Sequence, residues 1–424
     1  MRRRLTSSIA ALCFALEAMA TVGSAQTVDP ASDLGHFRAL RAAGMWALER
    51  GDTATALDQF GQAQALMPDS PSIALLKAQV YLQQKRKADA KAALADYLRR
   101  GNVLDLAKNA EFNAVWDSEL ENQLQLNVLP VGKMRVAAQI SDFSIAEALA
   151  FNPDGEQSFV SAVRSGQILS LSPEGVRSVI TFRPGVAAYG LGMREGKLWA
   201  TTAQSRQTVT YDPKKPATSK IVTIDPADGS VLASVDTTAD RRLGHLLMGR
   251  DDLYVIDSNH GSVLRLTGYG KTLEELVPEG YMDTPTGLAE NESASVLIVN
   301  DFVSGLYRVD LSTGGMSRLL APRDGNLLGI TSIARYGNDL IAIQSGVEPN
   351  RLLRVHMTPD WTAVQSVDVL LRSKDMLSQP SQGVVSDNAF VFVARSQWDN
   401  LDNQGNSKTP TPPPGVVGVI DLAQ

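Results

Sequence analysis

The chain of 424 residues contains one cysteine, Cys13, and it lies close to the N-terminus. Everything beyond it has no disulfide, no cysteine nucleophile and no thiolate metal site, so packing must supply the stability. Histidine is scarce too. His36, His245, His260 and His356 are the full set, and no two of them stand at metal-ligand spacing. There is no surplus of positive charge: 40 Lys and Arg face 46 Asp and Glu, a formal net charge of -6. That excludes nucleic acid as a main partner, because neutralising phosphates needs a basic surface. No stretch approaches the roughly 18 uninterrupted apolar residues of a membrane span. The Gly-x-Ser-x-Gly nucleophile elbow is absent. The segment Gly268-Tyr269-Gly270-Lys271-Thr272 ends like a phosphate-binding loop, but Arg265 occupies the place of its first glycine, and the segment joins strands.

The N-terminus follows a three-part pattern. Arg2, Arg3 and Arg4 give a basic start, an apolar stretch over 9–22 is interrupted by Glu17, and Gly23-Ser24-Ala25 supplies small residues. This reads as a secretory signal over residues 1–25 and predicts a periplasmic or secreted protein without membrane insertion. Leu12 stands before Cys13 where a lipoprotein signal has a small residue, which argues against lipid attachment.

Residues 34–120 have helical character: alanine, leucine and charged residues recur at spacings of three and four. Two helix pairs are expected, one breaking at Gly51-Asp52 and one near Lys85, with a capping helix over 103–116. Leu40, Gly44, Ala47, Ala56, Phe60, Ala63 and Pro68 fall at the packing positions of the tetratricopeptide repeat. Ala78, Tyr81, Ala90, Leu94 and Tyr97 repeat the register more loosely. The segment therefore resembles two tetratricopeptide repeats. Helical repeats need about three units to bury a continuous core, so these are expected to lean on the rest of the chain or on a partner.

From 133 to 424 the pattern changes to short Val-, Ile-, Leu- and Tyr-rich strands between turn signals such as Asn152-Pro153-Asp154-Gly155 and Ser312-Thr313-Gly314-Gly315. Six units follow one another, over 149–172, 189–234, 246–266, 287–320, 332–357 and 383–422. Their starts recur at about the 40–50 residues of a propeller blade. Strands such as Val296-Leu297-Ile298-Val299 are apolar on both sides, as blades packed face to face require. The last unit lacks an outer strand, and 134–140 could supply it and close the ring. The predicted fold is mainly β: a six-bladed β-propeller with an N-terminal helical segment. Five or seven blades stay open.

Three stretches carry a family likeness: Glu147 with Leu149-Ala150-Phe151-Asn152-Pro153-Asp154-Gly155, then Pro285-Thr286-Gly287-Leu288-Ala289, and Gln344-Ser345-Gly346-Val347-Glu348-Pro349-Asn350-Arg351. On these the units resemble the propeller of the SMP-30, gluconolactonase and strictosidine-synthase-like group, with a likeness to NHL repeats. The resemblance implies one divalent cation, as a rule calcium, on the propeller axis, held by oxygens from the starts of several inner strands. Glu147 stands at the first carboxylate place. Thr286 replaces an asparagine, Thr331-Ser332 replaces an Asp-Gly pair, and His245 stands where an asparagine or aspartate is common. A hard cation wants several oxygens with carboxylates among them, so Glu147 alone is an incomplete metal set. Calcium is the only cofactor implied.

Glu147 and His245 are the catalytic candidates, with Glu147 as the acid partner a histidine base would need. His260, in Asp257-Ser258-Asn259-His260-Gly261, reads as a turn residue. Long loops over 203–220, 345–351 and 396–415 fall on the face that carries the starts of the inner strands. The last holds Thr409-Pro410-Thr411-Pro412-Pro413-Pro414 and is expected to form an extended, mobile lid. Tyr189, Thr286, Asp301, Thr331, Gln344 and Arg395 are the candidate ligand-binding residues on that face, and Trp398 could stack there. Two functions remain: a binding module for a small molecule or a protein, through the propeller face and the helices, or a metal-dependent lactonase or esterase-like hydrolase.

Overall fold

A computed structural model describes residues 28–152, 157–402 and 404–423. The expected N-terminal signal over 1–25 and the expected turn at 153–155 lie outside the described residues. Helices α1 (Asp33–Glu49), α2 (Thr53–Leu66), α3 (Pro71–Gln83), α4 (Lys87–Arg99) and α5 (Ser118–Val128) come first. Ser32 caps α1 by accepting from the Gly35 N–H at 3.0 Å, and Asp52 caps α2 by accepting from Thr55 at 3.1 Å. Pro71 opens α3, where its missing N–H costs nothing. Between α1 and α2, Phe60 is fully buried against Gly44; a Cβ on Gly44 would lie 2.4 Å from the ring. The two pairs α1–α2 and α3–α4 are the expected repeats. The expected capping helix over 103–116 is different: that stretch holds only a short 3-10 turn, Ala110–Ala114, and α5 does the capping. The sequence hides α5 because only Leu120 and Asn127 of its face are buried.

The rest of the described chain forms six four-stranded antiparallel sheets. Blades 1 to 5 span 146–181, 186–236, 243–277, 285–318 and 330–372 in simple up-and-down order. Blade 6 takes three strands from 383–421, and its outer strand is Arg135–Ile140, which pairs antiparallel with Gly415–Asp421. The ring is thus closed by strands from both ends of the propeller, which gives the last blade its full four strands. Cores lie between neighbouring blades. Ala289, Ile298 and Leu306 of blade 4, for example, cluster with Ile333, Leu340 and Leu353 of blade 5. Each fully buried Leu or Ile of this kind contributes about 1.5–3 kcal/mol. The second strands are buried on both sides along their length, as in Leu253–Asp257 and Val296–Asp301.

The helices dock on one sector of one propeller face, over blades 4 and 5. Asp69, just beyond α2, pairs with Arg318 at 3.4 Å and accepts from the Leu327 N–H at 2.9 Å, while Arg318 donates to the Leu66 carbonyl at 2.7 Å. Arg100 donates to the carbonyls of Pro322 and Gly325, and Arg351 to that of Gly101 at 3.1 Å. Arg372 donates to the carbonyls of Leu126 and Leu129 at the end of α5. The helical repeats therefore complete their own core by leaning on the propeller.

Candidate functional site

One local device repeats around the axis. Where the inner strand of a blade pairs with its second strand, the register steps, at Ala146/Leu149, Ala188/Gly190, Leu243/Leu246, Pro285/Gly287 and Ile330/Ser332. A bulge leaves the extra residue out of the ladder and re-aims its side chain. Glu147, Tyr189, His245, Thr286 and Thr331 all sit in these steps. In blade 6 the inner strand pairs without a step, and Gln382, just before Gly383–Ser386, takes the corresponding place.

Gln382 joins the constellation together. Its side-chain Nε2 donates to the Tyr189 carbonyl at 2.9 Å and to Glu147 Oε1 at 3.4 Å, and its Oε1 lies 3.0 Å from His245 Nδ1. Blades 3 and 6 stand opposite each other in a ring of six, so the His245–Gln382 bond spans the axis. Because the Gln382 oxygen faces Nδ1, that nitrogen carries the imidazole proton, and burial pushes the His245 pKa down and favours the neutral ring. His245 Nε2 has no hydrogen bond or ion pair among the described residues. Glu147 keeps part of its surface toward the channel, yet it sits deep enough that desolvation pushes its carboxyl up to about 6. Hydrogen bonds from Trp398 Nε1 to Oε2, at 2.6 Å, and from Gln382, together with the charge of Arg242, pull it back only in part. Arg242 also lies over the Tyr189 ring, 4.8 Å from its centre, while the Tyr189 hydroxyl donates to Ser205 at 2.6 Å.

The expected direct partnership of Glu147 with His245 is replaced by an amide bridge. Gln382 and Arg242 are not among the residues expected from the sequence, although Ser381-Gln382-Gly383-Val384 repeats the pattern of Pro285-Thr286-Gly287-Leu288. Thr286 and Thr331 occupy axial steps but serve the framework. Thr286 Oγ1 donates to the Ile330 carbonyl of the next blade at 3.1 Å and accepts from Asn300 at 2.6 Å. Thr331 Oγ1 donates to the Ile343 carbonyl at 3.3 Å. Asp301 and Gln344 end second strands and are fully buried. Asp301 accepts from the N–H groups of Asp283, Thr284, Val303 and Ser304 and from the Ser304 hydroxyl. Gln344 donates to the Asn326 and Leu328 carbonyls and accepts from Arg351 at 2.5 Å. Neither has polar capacity turned to a ligand. Arg395 ends a second strand in blade 6 and donates weakly to the Pro414 carbonyl at 3.5 Å.

The loop expected as a free lid is tied down. Gln397 donates to the Pro413 carbonyl at 2.9 Å, Thr409 to Asn400 at 2.6 Å, and Arg164 bridges the Gln207 and Gly405 carbonyls, linking this loop to the one after blade 2's second strand. The loop's function in the fold is to seat Trp398 on Glu147. His260 holds Asp257 at 2.8 Å in a turn, as its sequence context suggests.

The axial residues do not fit a hard cation. They offer one carboxylate, both of whose oxygens accept N–H bonds, beside a neutral amide, an imidazole and an arginine. Among the described residues no three His, Cys, Asp or Glu side chains stand close enough to share a metal ion, and no helix is long and apolar enough to cross a membrane.

Residues 47–105 match the tetratricopeptide-repeat family. Over 77 residues, 18% of this chain, the sequence is 39% identical to tetratricopeptide repeat protein 36 of Mus musculus, and the match spans 40% of that protein's length. Among solved structures, the chain is similar to a PQQ-bound aldose sugar dehydrogenase from Streptomyces coelicolor, with 13% identity, 69% of this chain and 99% of that one covered, and a TM-score of 0.45. A gluconolactonase from Xanthomonas campestris gives 13% identity, 68% and 93% coverage, and a TM-score of 0.46. The six blades here are read from strand pairing alone.

Proposed function

We propose that this protein is an exported binding module, in which the propeller face and the docked helices recognise a ligand or a protein and the axis carries out no metal-dependent catalysis. The observation that supports it is the closed hydrogen-bond set of Glu147. Trp398 donates to one carboxylate oxygen and Gln382 to the other, so the one carboxylate of the axis is oriented by N–H donors and has no second carboxylate beside it to complete a cation's oxygen set. The test is the thermal melt of the exported form with millimolar calcium and with chelator. A cation at 100 times its dissociation constant would add about 2.7 kcal/mol of stability, a rise of a few degrees. The expected outcome is superimposable melts, together with no turnover on a panel of lactones and esters. A saturable calcium-dependent rise, or turnover that Glu147→Gln abolishes, overturns the proposal.

A hydrolase is the second reading, and one observation favours it. His245 Nε2 has an unprotonated lone pair with no partner among the described residues, and Gln382 bridges this ring to a carboxyl whose pKa is raised to about 6; shifted pairs of this kind occur at catalytic sites. If the panel reveals turnover without added metal, His245→Ala should abolish it while leaving the melt almost unchanged.

A further inference from the structure

α1 and α3 are the first helices of the two repeats, and their shared face would ordinarily be an open groove. Here propeller loops roof it. Phe37, Leu75 and Leu76 from the helices face Phe302, Leu328 and Val347 from the loops of blades 4 and 5, and between them lies a partly enclosed cavity of about 400 Å³. By the scale on which a cavity of about 150 Å³ holds benzene, this one suits roughly 12–18 non-hydrogen atoms. That is too small for a bound polypeptide segment and well suited to a small molecule.

The charges at the cavity define its occupant further. Its lining includes two charged side chains, Arg38 and Arg41, three residues apart on one face of α1, and no acidic one. Arg38 is neutralised by an ion pair with Asp283. Arg41 is half-buried and makes no hydrogen bond or ion pair among the described residues. An apolar chamber with one uncompensated guanidinium calls for a ligand with an apolar body and one anionic end, and a guanidinium fork matches a carboxylate in two-point geometry.

We infer that the junction of the helices and the propeller is a binding site for a small amphiphilic monocarboxylate, its apolar body between Leu75 and Leu328 and its carboxylate on Arg41. This site is separate from the axial constellation and stands whether or not the axis turns over a substrate.

Isothermal titration of the full chain with decanoate, 1-decanol and decyltrimethylammonium tests it. Decanoate should bind saturably at one site and decyltrimethylammonium at least about tenfold more weakly. Arg41→Gln should weaken decanoate about tenfold to a hundredfold, the range of a hydrogen bond to a charged group, and change 1-decanol by less than about twofold. Val347→Trp, on a half-buried loop, should fill the chamber and remove binding of both. Should that variant melt early, Ser72→Trp on α3 blocks the chamber from the other wall. Saturable binding by none of the three probes, decyltrimethylammonium binding as well as decanoate, or decanoate affinity unchanged by both Arg41→Gln and a chamber-filling variant each overturn the inference.

Discussion

Asp69 and Glu147 are carboxylates drawn in at the same face of the propeller, in different sectors and with different company. Asp69 has no exposed side-chain surface and meets a cation, Arg318, whose side chain is itself 2% exposed; the Leu327 N–H satisfies its other oxygen. Glu147 meets only neutral donors directly, Trp398 and Gln382, and its pKa rises to about 6. A buried carboxylate set against a buried cation ties two units together. A buried carboxyl with neutral donors keeps a proton within reach of ordinary pH. Asp69 thus serves to fasten the helices over blades 4 and 5, whereas the axial set of blades 6, 1, 2 and 3 holds a carboxyl whose protonation can respond to what binds there.

The sharpest way to break this comparison is to remove the charge at the junction. Asp69→Ala leaves Arg318 buried without its counter-ion and the Leu327 N–H without an acceptor, and should cost about 3–5 kcal/mol. Urea unfolding followed by fluorescence measures it; a loss below about 1 kcal/mol would mean that the Asp69–Arg318 pair is not what holds the helices to the propeller. Gly101→Ala should cost less, about 1–3 kcal/mol. Gly101 has φ +75°, and an added Cβ would stand 2.2 Å from Arg351 Nη1, the atom that donates to the Gly101 carbonyl. Burial already pushes the Arg351 pKa down to about 10, so displacing this guanidinium from its acceptors leaves a charge poorly paired. Gly51→Ala is the matched control. Its φ is +79° with nothing within 4 Å of the added carbon, so it should show only the backbone penalty of roughly 1–2 kcal/mol. Equal losses at the two glycines would remove Arg351 from the account of the junction.

What the sequence discloses follows the same division. Inner and second strands are read because blades bury both of their faces, which writes apolar runs such as Val296–Asp301 into the chain. The outer strands of blades 1 and 3 are not legible in the same way, since Gly175–Thr181 and Leu273–Val277 are mostly solvated and carry no apolar run. Glu147, Tyr189 and His245 are legible as axial residues because each stands at the start of an inner strand. Their neighbours at equivalent places, Thr286 and Thr331, look the same in sequence and differ only in where the hydroxyl points. Asp301 and Gln344 mislead for a related reason: a polar residue ending a second strand can face the axis or anchor its own loop, and spacing cannot separate the two. Arg242 reaches the site from just before the inner strand of blade 3, a position with no pattern to mark it.

The axial side of the molecule is tested by pH, with an effect no larger than those at the two glycines. The folded pKa of Glu147, about 6, lies above the ordinary 4.5. Between these values the folded chain holds a proton that the unfolded chain has released, so raising the pH through this window favours unfolding. At 1.36 kcal/mol per unit, stability should fall by about 2 kcal/mol from pH 4.5 to pH 6 on account of this group and stay level above it. Glu147→Gln has no proton to lose and should lack that slope. His245 contributes in the opposite sense: its depressed pKa means that the unfolded chain takes up the proton first as pH falls, so stability rises with pH through its window. That term is common to both proteins and cancels in their difference. The quantity to measure is therefore the gap between the two stability curves, from urea unfolding at pH values from about 4 to 8. A gap that shifts by about 2 kcal/mol across the window places a proton on Glu147 at mildly acidic pH. Parallel curves would make Glu147 an ordinary carboxylate, and the contrast with Asp69 would then reduce to geometry.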